Sequence, residues 1–217
     1  DSAVNPYGAN IVLTPSKTIT TGSGGRATLF TGSGSGSGAD LSAYIGTGSG
    51  RFRYNSDEST TNYTTPLSSG LFAIYRQNPN LTVSANNTTK VYGASVTPST
   101  SNTVSGFLNG DTQAQSVSTA ASVSIGGSRS SAGYLIAGDH ALTASGAQSA
   151  LGYGFAYSGG TLTVSKKALT ISTTATNKIY DATTAATTAL TSDKFQLDNV
   201  SLNNTSSTFA SKSVGTG

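Results

Sequence analysis

The sequence predicts an all-β chain, and three observations carry that prediction. Ser and Thr supply about a third of the 217 residues, Gly adds 26, and only 10% are charged, a composition that favours strands joined by tight turns. Val, Ile, Leu and Tyr fall in short runs, many alternating with polar residues, which places one strand face in a core and the other in water. Two stretches also repeat one another: Leu81-Thr-Val-Ser-Ala-Asn-Asn-Thr-Thr-Lys-Val-Tyr-Gly93 and Leu169-Thr-Ile-Ser-Thr-Thr-Ala-Thr-Asn-Lys-Ile-Tyr-Asp181. Their offset of 88 residues is the length of a small β module, so the chain reads as a duplicated unit.

The first section, residues 1–78, places short β-prone runs between glycine clusters. Ile11–Thr14, Ala27–Phe30, Leu41–Ile45, Arg51–Tyr54 and Leu71–Tyr75 read as strands, and Gly22–Gly25, Gly32–Gly38 and Gly46–Gly50 as turns. Strands separated by Gly-Ser turns suit an irregular β-helix-like section, the end of a solenoid rather than its body. The second section, 79–166, opens with the repeated strand and closes on Gly160–Ser165. Alternation over Ala120–Ile125 and His140–Ala144, with turns at Asn109-Gly110 and Gly126-Gly127, gives a complete two-layer β module. Asp111 is a candidate cap for one short helical turn. The third section, 167–217, restarts the pattern and stops short of a second full module. Its sheet edge is therefore expected to be open to pairing. Few residues separate Val164 from Leu169, and so short a connection favours a semi-rigid rod. Tyr92 and Tyr180 are expected in equivalent packed positions, with Lys90 and Lys178 over their rings and Val91 and Ile179 on the opposite face.

The second section, through Lys90-Val91-Tyr92-Gly93, Val104–Thr112 and Leu162-Thr163-Val164, resembles the bacterial Ig-like repeats called MBG domains. The third resembles the related YDG repeat through Tyr180-Asp181-Ala182, Asn199-Val200-Ser201, Phe209-Ala210 and Ser213–Gly217. Ala182 stands where that motif has glycine, so the resemblance implies a left-handed turn at a residue carrying a Cβ. Gly50–Glu58 and Ala73–Arg76 look like the junction between a haemagglutinin-type β-helix and such repeats. The resemblance implies tandem Ig-like β-sandwich modules, the last one incomplete, in a large filamentous-haemagglutinin-like adhesin exported by two-partner secretion.

Chemistry-bearing patterns are sparse. The single histidine, His140, follows Asp139, and no serine has nucleophile-elbow glycine spacing. With one His and no Cys, a His/Cys metal site is excluded by counting. Calcium needs clustered carboxylates, and the one glutamate, Glu58, has only Asp57 beside it. The glycine clusters lack the Gly-Lys-Ser/Thr and helix start of a phosphate loop. Neither cofactor nor metal is expected, and the chain is read as no enzyme. A charge of +3 without clustered cations argues against nucleic acid, and no apolar run is long enough to cross a membrane as a helix.

Arg51 and Arg53 fall on one strand face, Phe52 and Tyr54 on the other. The rings are expected to cap a core while the arginines stay solvated, free to contact an acidic glycan or a neighbouring module. Asn62, Asn80, Asn86, Asn87, Asn199, Asn203 and Asn204 each begin an Asn-X-Ser/Thr sequon, the acceptor pattern for glycosylation. The absence of Cys and Met suits an oxidising exterior. Asp1 begins without a signal sequence, which reads as an internal piece of a longer exported protein.

The expected function is a structural stalk of a secreted, cell-surface adhesin of a Gram-negative bacterium. It presents a binding region for adhesion or biofilm contact with a receptor or glycan on a host or neighbouring cell. Two alternatives stand beside it: a glycan-binding β module using Tyr7, Tyr44, Tyr63 or Tyr153, and a self-assembling filament subunit that joins through its unfinished last module.

Overall fold

The computed structural model describes residues 7–13, 18–97 and 101–214 and, over 35–40, the backbone alone. The chain is all-β, built from several small sheets. Its elements are β1 (Arg26–Thr31), α1 (Gly34–Ile45), β2 (Phe52–Arg53), β3 (Gly70–Tyr75), β4 (Asn80–Ala85), β5 (Thr88–Val91), β6 (Asn102–Ser105) and α2 (Gln113–Ser116). Then follow β7 (Val117–Thr119), β8 (Ser122–Ile125), β9 (Gly138–Ser145), β10 (Gln148–Ser149), β11 (Gly154–Ser158), β12 (Gly160–Ser165), β13 (Ile171–Ala175) and β14 (Thr188–Ser192). Two compact units form. The first comprises Asp1–Thr88, Thr97–Gly126 and Ala141–Leu162, the second Thr89–Val96, Gly127–His140 and Thr163–Gly217.

In the first unit, β1, β3 and β2 make a parallel sheet in that order, with Phe30 opposite Ile74 and Phe52 opposite Ala73. The central strand, β3, is buried from Leu71 to Tyr75, as befits a parallel strand covered on both faces. Part of that cover is α1, which corrects the expectation of a glycine turn followed by a strand at Leu41–Ile45. Leu41 and Ile45, four residues apart, sit on one helical face and are both buried. The helix start is secured by Gln77, whose Oε1 accepts from Gly34 N at 2.8 Å. Ile11–Leu13 is likewise not a strand, and Thr14 lies outside the described residues. The helical turn expected after Asp111 is present as α2, but its cap is Thr112, in a reciprocal capping box with Gln115.

The core of this unit joins Leu41, Phe52, Tyr54 and Tyr75 to Leu81, Leu151 and Tyr153. It contains one polar knot. Tyr54 Oη donates to Asp111 Oδ2 at 2.7 Å, Tyr153 Oη donates to the same oxygen at 2.9 Å, and Asn109 Nδ2 donates to Tyr54 Oη at 3.1 Å. Asp111 Oδ1 has no partner among the described residues. Burial therefore raises the Asp111 carboxyl above its ordinary 3.8, and the two tyrosine donors and Arg53 oppose the shift only in part. Burial also pushes Tyr75 up to about 12.

Beyond this core, β4 is held between β11 (parallel, Leu81 opposite Phe155 and Val83 opposite Tyr157) and β6 (antiparallel). In the second unit, β13 and β14 pair antiparallel. The two antiparallel ladders have one register. Val83↔Val104, Ser84↔Thr103 and Ala85↔Asn102 become Ile171↔Ser192, Ser172↔Thr191 and Thr173↔Leu190 when 88 is added to each number. Register fixes which side chains share a face, so the duplication read from the sequence holds at the level of strand pairing. The surroundings differ: no β11 counterpart flanks β13 among the described residues, and Leu169 is 39% exposed where Leu81 is 0%.

Two outcomes follow. Leu81→Ala should cost about 2–5 kcal/mol and Leu169→Ala no more than about 0.5 kcal/mol, read from urea unfolding through the amides of β4 and β13 separately. For Asp111, a folded-state pKa above 3.8 means its contribution is full below the unfolded value and lost as pH rises through the folded one. The Tm difference between wild type and Asp111→Asn should therefore shrink or reverse as pH rises from about 4, measured by thermal melts across that range.

Candidate functional site

Arg51 and Arg53 do flank one ring, Phe72, at 6.0 and 5.4 Å, yet Arg53 is only 1% exposed. The expectation that both arginines stay solvated fails there. The loop after Tyr63 folds over the guanidinium: Nη1 donates to Gly50 O (2.8 Å) and Phe52 O (2.7 Å), Nε donates to Thr65 O (3.3 Å), and Tyr63 covers the plane at 5.4 Å. Burial lowers its pKa from 12.5. With its donors committed to carbonyls, Arg53 is a core strut, while Arg51 remains half-exposed. Tyr153, a sugar-stacking candidate, is buried with its hydroxyl on Asp111.

The sequons spread over both units and converge on no site. Asn62 donates to Asn55 O, Asn86 donates to Ser101 Oγ, and Asn204 donates to Thr188 Oγ1 and Ser207. Asn80, Asn87, Asn199 and Asn203 are exposed. His140 is buried, its Nε2 2.8 Å from Ile136 O. Among the described residues no cluster of His, Asp and Glu fits a metal ion. Asp57 instead closes a turn by accepting from Ser59 N and Thr60 N, and Glu58 pairs with Arg76.

The most developed polar-aromatic assembly lies in the second unit, around Tyr92. Leaving β5, the chain donates from Tyr92 N to Ser165 O (2.8 Å) and turns through Gly93, whose φ is +90°. The Tyr92 ring meets Tyr134 and Phe195 edge-on, each at 5.8 Å, and those two rings pack on each other at 4.4 Å. Edge-on and tilted pairs at these spacings are attractive beyond the area they bury. A Cβ at Gly93 would collide with Phe195, so glycine serves here both for its φ and for the room it leaves. The Tyr92 hydroxyl donates to the Asp198 carboxylate at 2.6 Å and lies 2.7 Å from Ser130 Oγ. Desolvation, then Asp198, raises the Tyr92 pKa above 10 and keeps the donor protonated.

The segment that supplies Phe195 and Asp198 is held at several points. Lys167 Nζ pairs with Asp193 (2.6 Å) and lies over the Phe195 ring at 5.7 Å. Lys194 Nζ donates to Asp198 O and Val200 O, and Ser131 Oγ donates to Leu197 O. Beside the joint opens a cavity of about 540 Å³ lined by Tyr92, Ser130, Ile136, Lys166 and Val200. The assembly is equipped for recognition: a ring seated on a glycine, sealed by a charge-assisted hydrogen bond.

The repeat of this motif is arranged differently. Tyr180 is 61% and Ile179 92% exposed, and Val91 is exposed too, so the two tyrosines are not packed alike. Lys178 lies over Phe209 (5.9 Å) rather than over Tyr180 and pairs with Asp181 at 2.7 Å. That lysine first, then Thr183, holds the Asp181 carboxyl down to about 2. The left-handed turn is nevertheless made at Ala182, with φ +62°. Phe195 and Asp198 were not legible as site residues. The one signal for them was an aromatic and an acid three residues apart in a polar stretch.

Residues 81–163 match the family described as MBG domain (YGX type), and residues 165–217 match the YDG domain. The chain therefore contains an MBG domain followed by a YDG domain, and Tyr92-Gly93 lies within the first match. Comparison with curated proteins gives no match, and comparison with solved structures gives none.

If Gly93 seats Phe195, Gly93→Ala should displace the ring and weaken the joint by roughly 1–3 kcal/mol through its positive φ alone. In NMR spectra the ring-current shifts of Tyr134 and Phe195 should collapse, while Gly133→Ala, also at positive φ but with nothing near its Cβ, leaves them in place.

Proposed function

We propose that this chain is a stalk segment of a secreted, cell-surface adhesin, spacing a binding region from the cell and carrying load between modules. The observation behind this reading is the Tyr92 joint, where a residue pair of the MBG domain grips a ring and a carboxylate of the YDG domain within one compact unit. Such a joint lowers hinge freedom between successive domains and adds no reactive group. MBG and YDG domains occur in extracellular and surface proteins, and a chain without Cys or Met is suited to that setting. Export by two-partner secretion, a Gram-negative source and glycosylation at the exposed sequons belong to the same proposal.

A stalk binds nothing by itself. The purified chain should give no saturable signal on a glycan array or on cultured host cells, and removing the segment from its parent protein should lower whole-cell adhesion while the released protein still binds its target. Saturable binding by the purified chain would replace this reading with the glycan-binding one.

A further inference from the structure

The register shared by the two antiparallel ladders extends to the side chains on them: Leu81, Thr82, Val83 and Ser84 recur as Leu169, Thr170, Ile171 and Ser172. It also fixes where each backbone points. Asn86 N donates to Ser101 O, so the even-numbered residues of β4 face β6 and the odd-numbered ones face β11, whose Gly154 N donates to Pro79 O at 2.9 Å. In the second unit Thr176 N donates to Thr187 O and Asp193 N to Thr170 O, so the even-numbered residues of β13 face β14. Ile171 and Thr173 therefore aim their N–H and C=O groups at the side of β13 where, among the described residues, no strand lies. The far side of the hairpin is met by other backbone: Ala186 N donates to Ser207 O, and Phe209 N to Thr184 O. Every residue of β13 is exposed, and Ile171 stands at 54% where Val83 is 0%. The run Ile171-Ser-Thr-Thr-Ala175 holds no charged residue and no proline, two of the devices that keep an edge strand from pairing.

From this we infer that β13 is a docking edge for one further strand, laid parallel to it with the pattern of β11. That pattern sets aromatic residues opposite Leu169 and Ile171 with a small one between, as Phe155 and Tyr157 lie opposite Leu81 and Val83 around Ala156. The occupant is a strand of another module of this repeat type, because β11 is what the matching edge of β4 accepts and is itself seated there. The two edges agree in aliphatic residue at each position, in register and in backbone direction. Strand addition supplies main-chain hydrogen bonds along the edge, and alternate aromatic side chains cover Leu169 and Ile171. The inference goes beyond the stalk reading and needs neither glycan nor receptor, so either can fail without the other.

A peptide copying residues 153–159, Tyr-Gly-Phe-Ala-Tyr-Ser-Gly, is the probe, titrated into the whole 217-residue chain and followed by NMR and amide hydrogen exchange. The expected result is saturable binding that slows exchange at Ile171 and Thr173. A spin label on the peptide's amino terminus should broaden Leu169 more than Ala175, as parallel pairing requires. By the pattern set at Gly154, the peptide's alanine turns its N–H toward β13 and its second tyrosine turns its own away. N-methylation of that alanine should therefore weaken binding at least about tenfold, or 1.4 kcal/mol, and N-methylation of the second tyrosine should not. Ile171→Lys, which puts a charge on the edge at an exposed position, should weaken it as much while the Thr173–Leu190 pairing persists. Without peptide the chain should stay monomeric. Unchanged exchange at Ile171 and Thr173, equal loss from both methylations, or stronger broadening at Ala175 than at Leu169 would each overturn the inference. So would concentration-dependent association of the chain through β13, which would make a second copy the occupant.

Discussion

The second unit depends on the seat that Gly93 leaves for Phe195. From residue 165 to residue 214 no side chain is buried, and the only sheet there has two strands, an arrangement marginal in water when nothing packs on it. Ring contacts at Tyr92 and Tyr134 and the Tyr92–Asp198 hydrogen bond tie this stretch to the other segments of the unit, and the Lys167 bridge to Asp193 braces it from within. An apolar ring in a shaped notch is specific because a single added methyl group excludes it. Tyr92-Gly93 therefore marks a joint as well as a turn.

The first unit is ordered by another means. Its parallel sheet is covered by α1 and shares a core with residues of the MBG domain, so polar groups caught inside must find partners there. Arg53 finds them in backbone carbonyls and two aromatic faces, Asp111 in two tyrosines. An uncompensated buried charge is strongly destabilising, and these contacts let β2 carry an arginine inside. Strain remains at Asp111, whose second oxygen is unsatisfied.

What the sequence made legible was what local pattern controls. A short apolar run marked β3, alternation marked β8 and β9, and the repeated stretch marked β4, while the 88-residue repeat carried through to a common strand register. Tertiary context decided the rest. The Gly-Ser run before Leu41 has poor helix propensity, and it folds as α1 because Leu41 and Ile45 gain a core and Gln77 caps the start. Alternation put Arg53 opposite Tyr54 correctly but did not reveal that a loop ten residues on would close over it. Tyr180 looked like Tyr92 in sequence, yet burial belongs to the partner as much as to the motif, and among the described residues only Tyr92 has one.

Hydrogen exchange on a Phe195→Ala chain tests the central claim most directly. If the ring in the Gly93 notch holds the second unit together, the amides of Ile171–Ala175 and Thr188–Ser192 should lose protection, while those of β4 and β6 stay as in the wild type. Unchanged protection in β13 and β14 would contradict the account, showing that the YDG hairpin is stable without its seat.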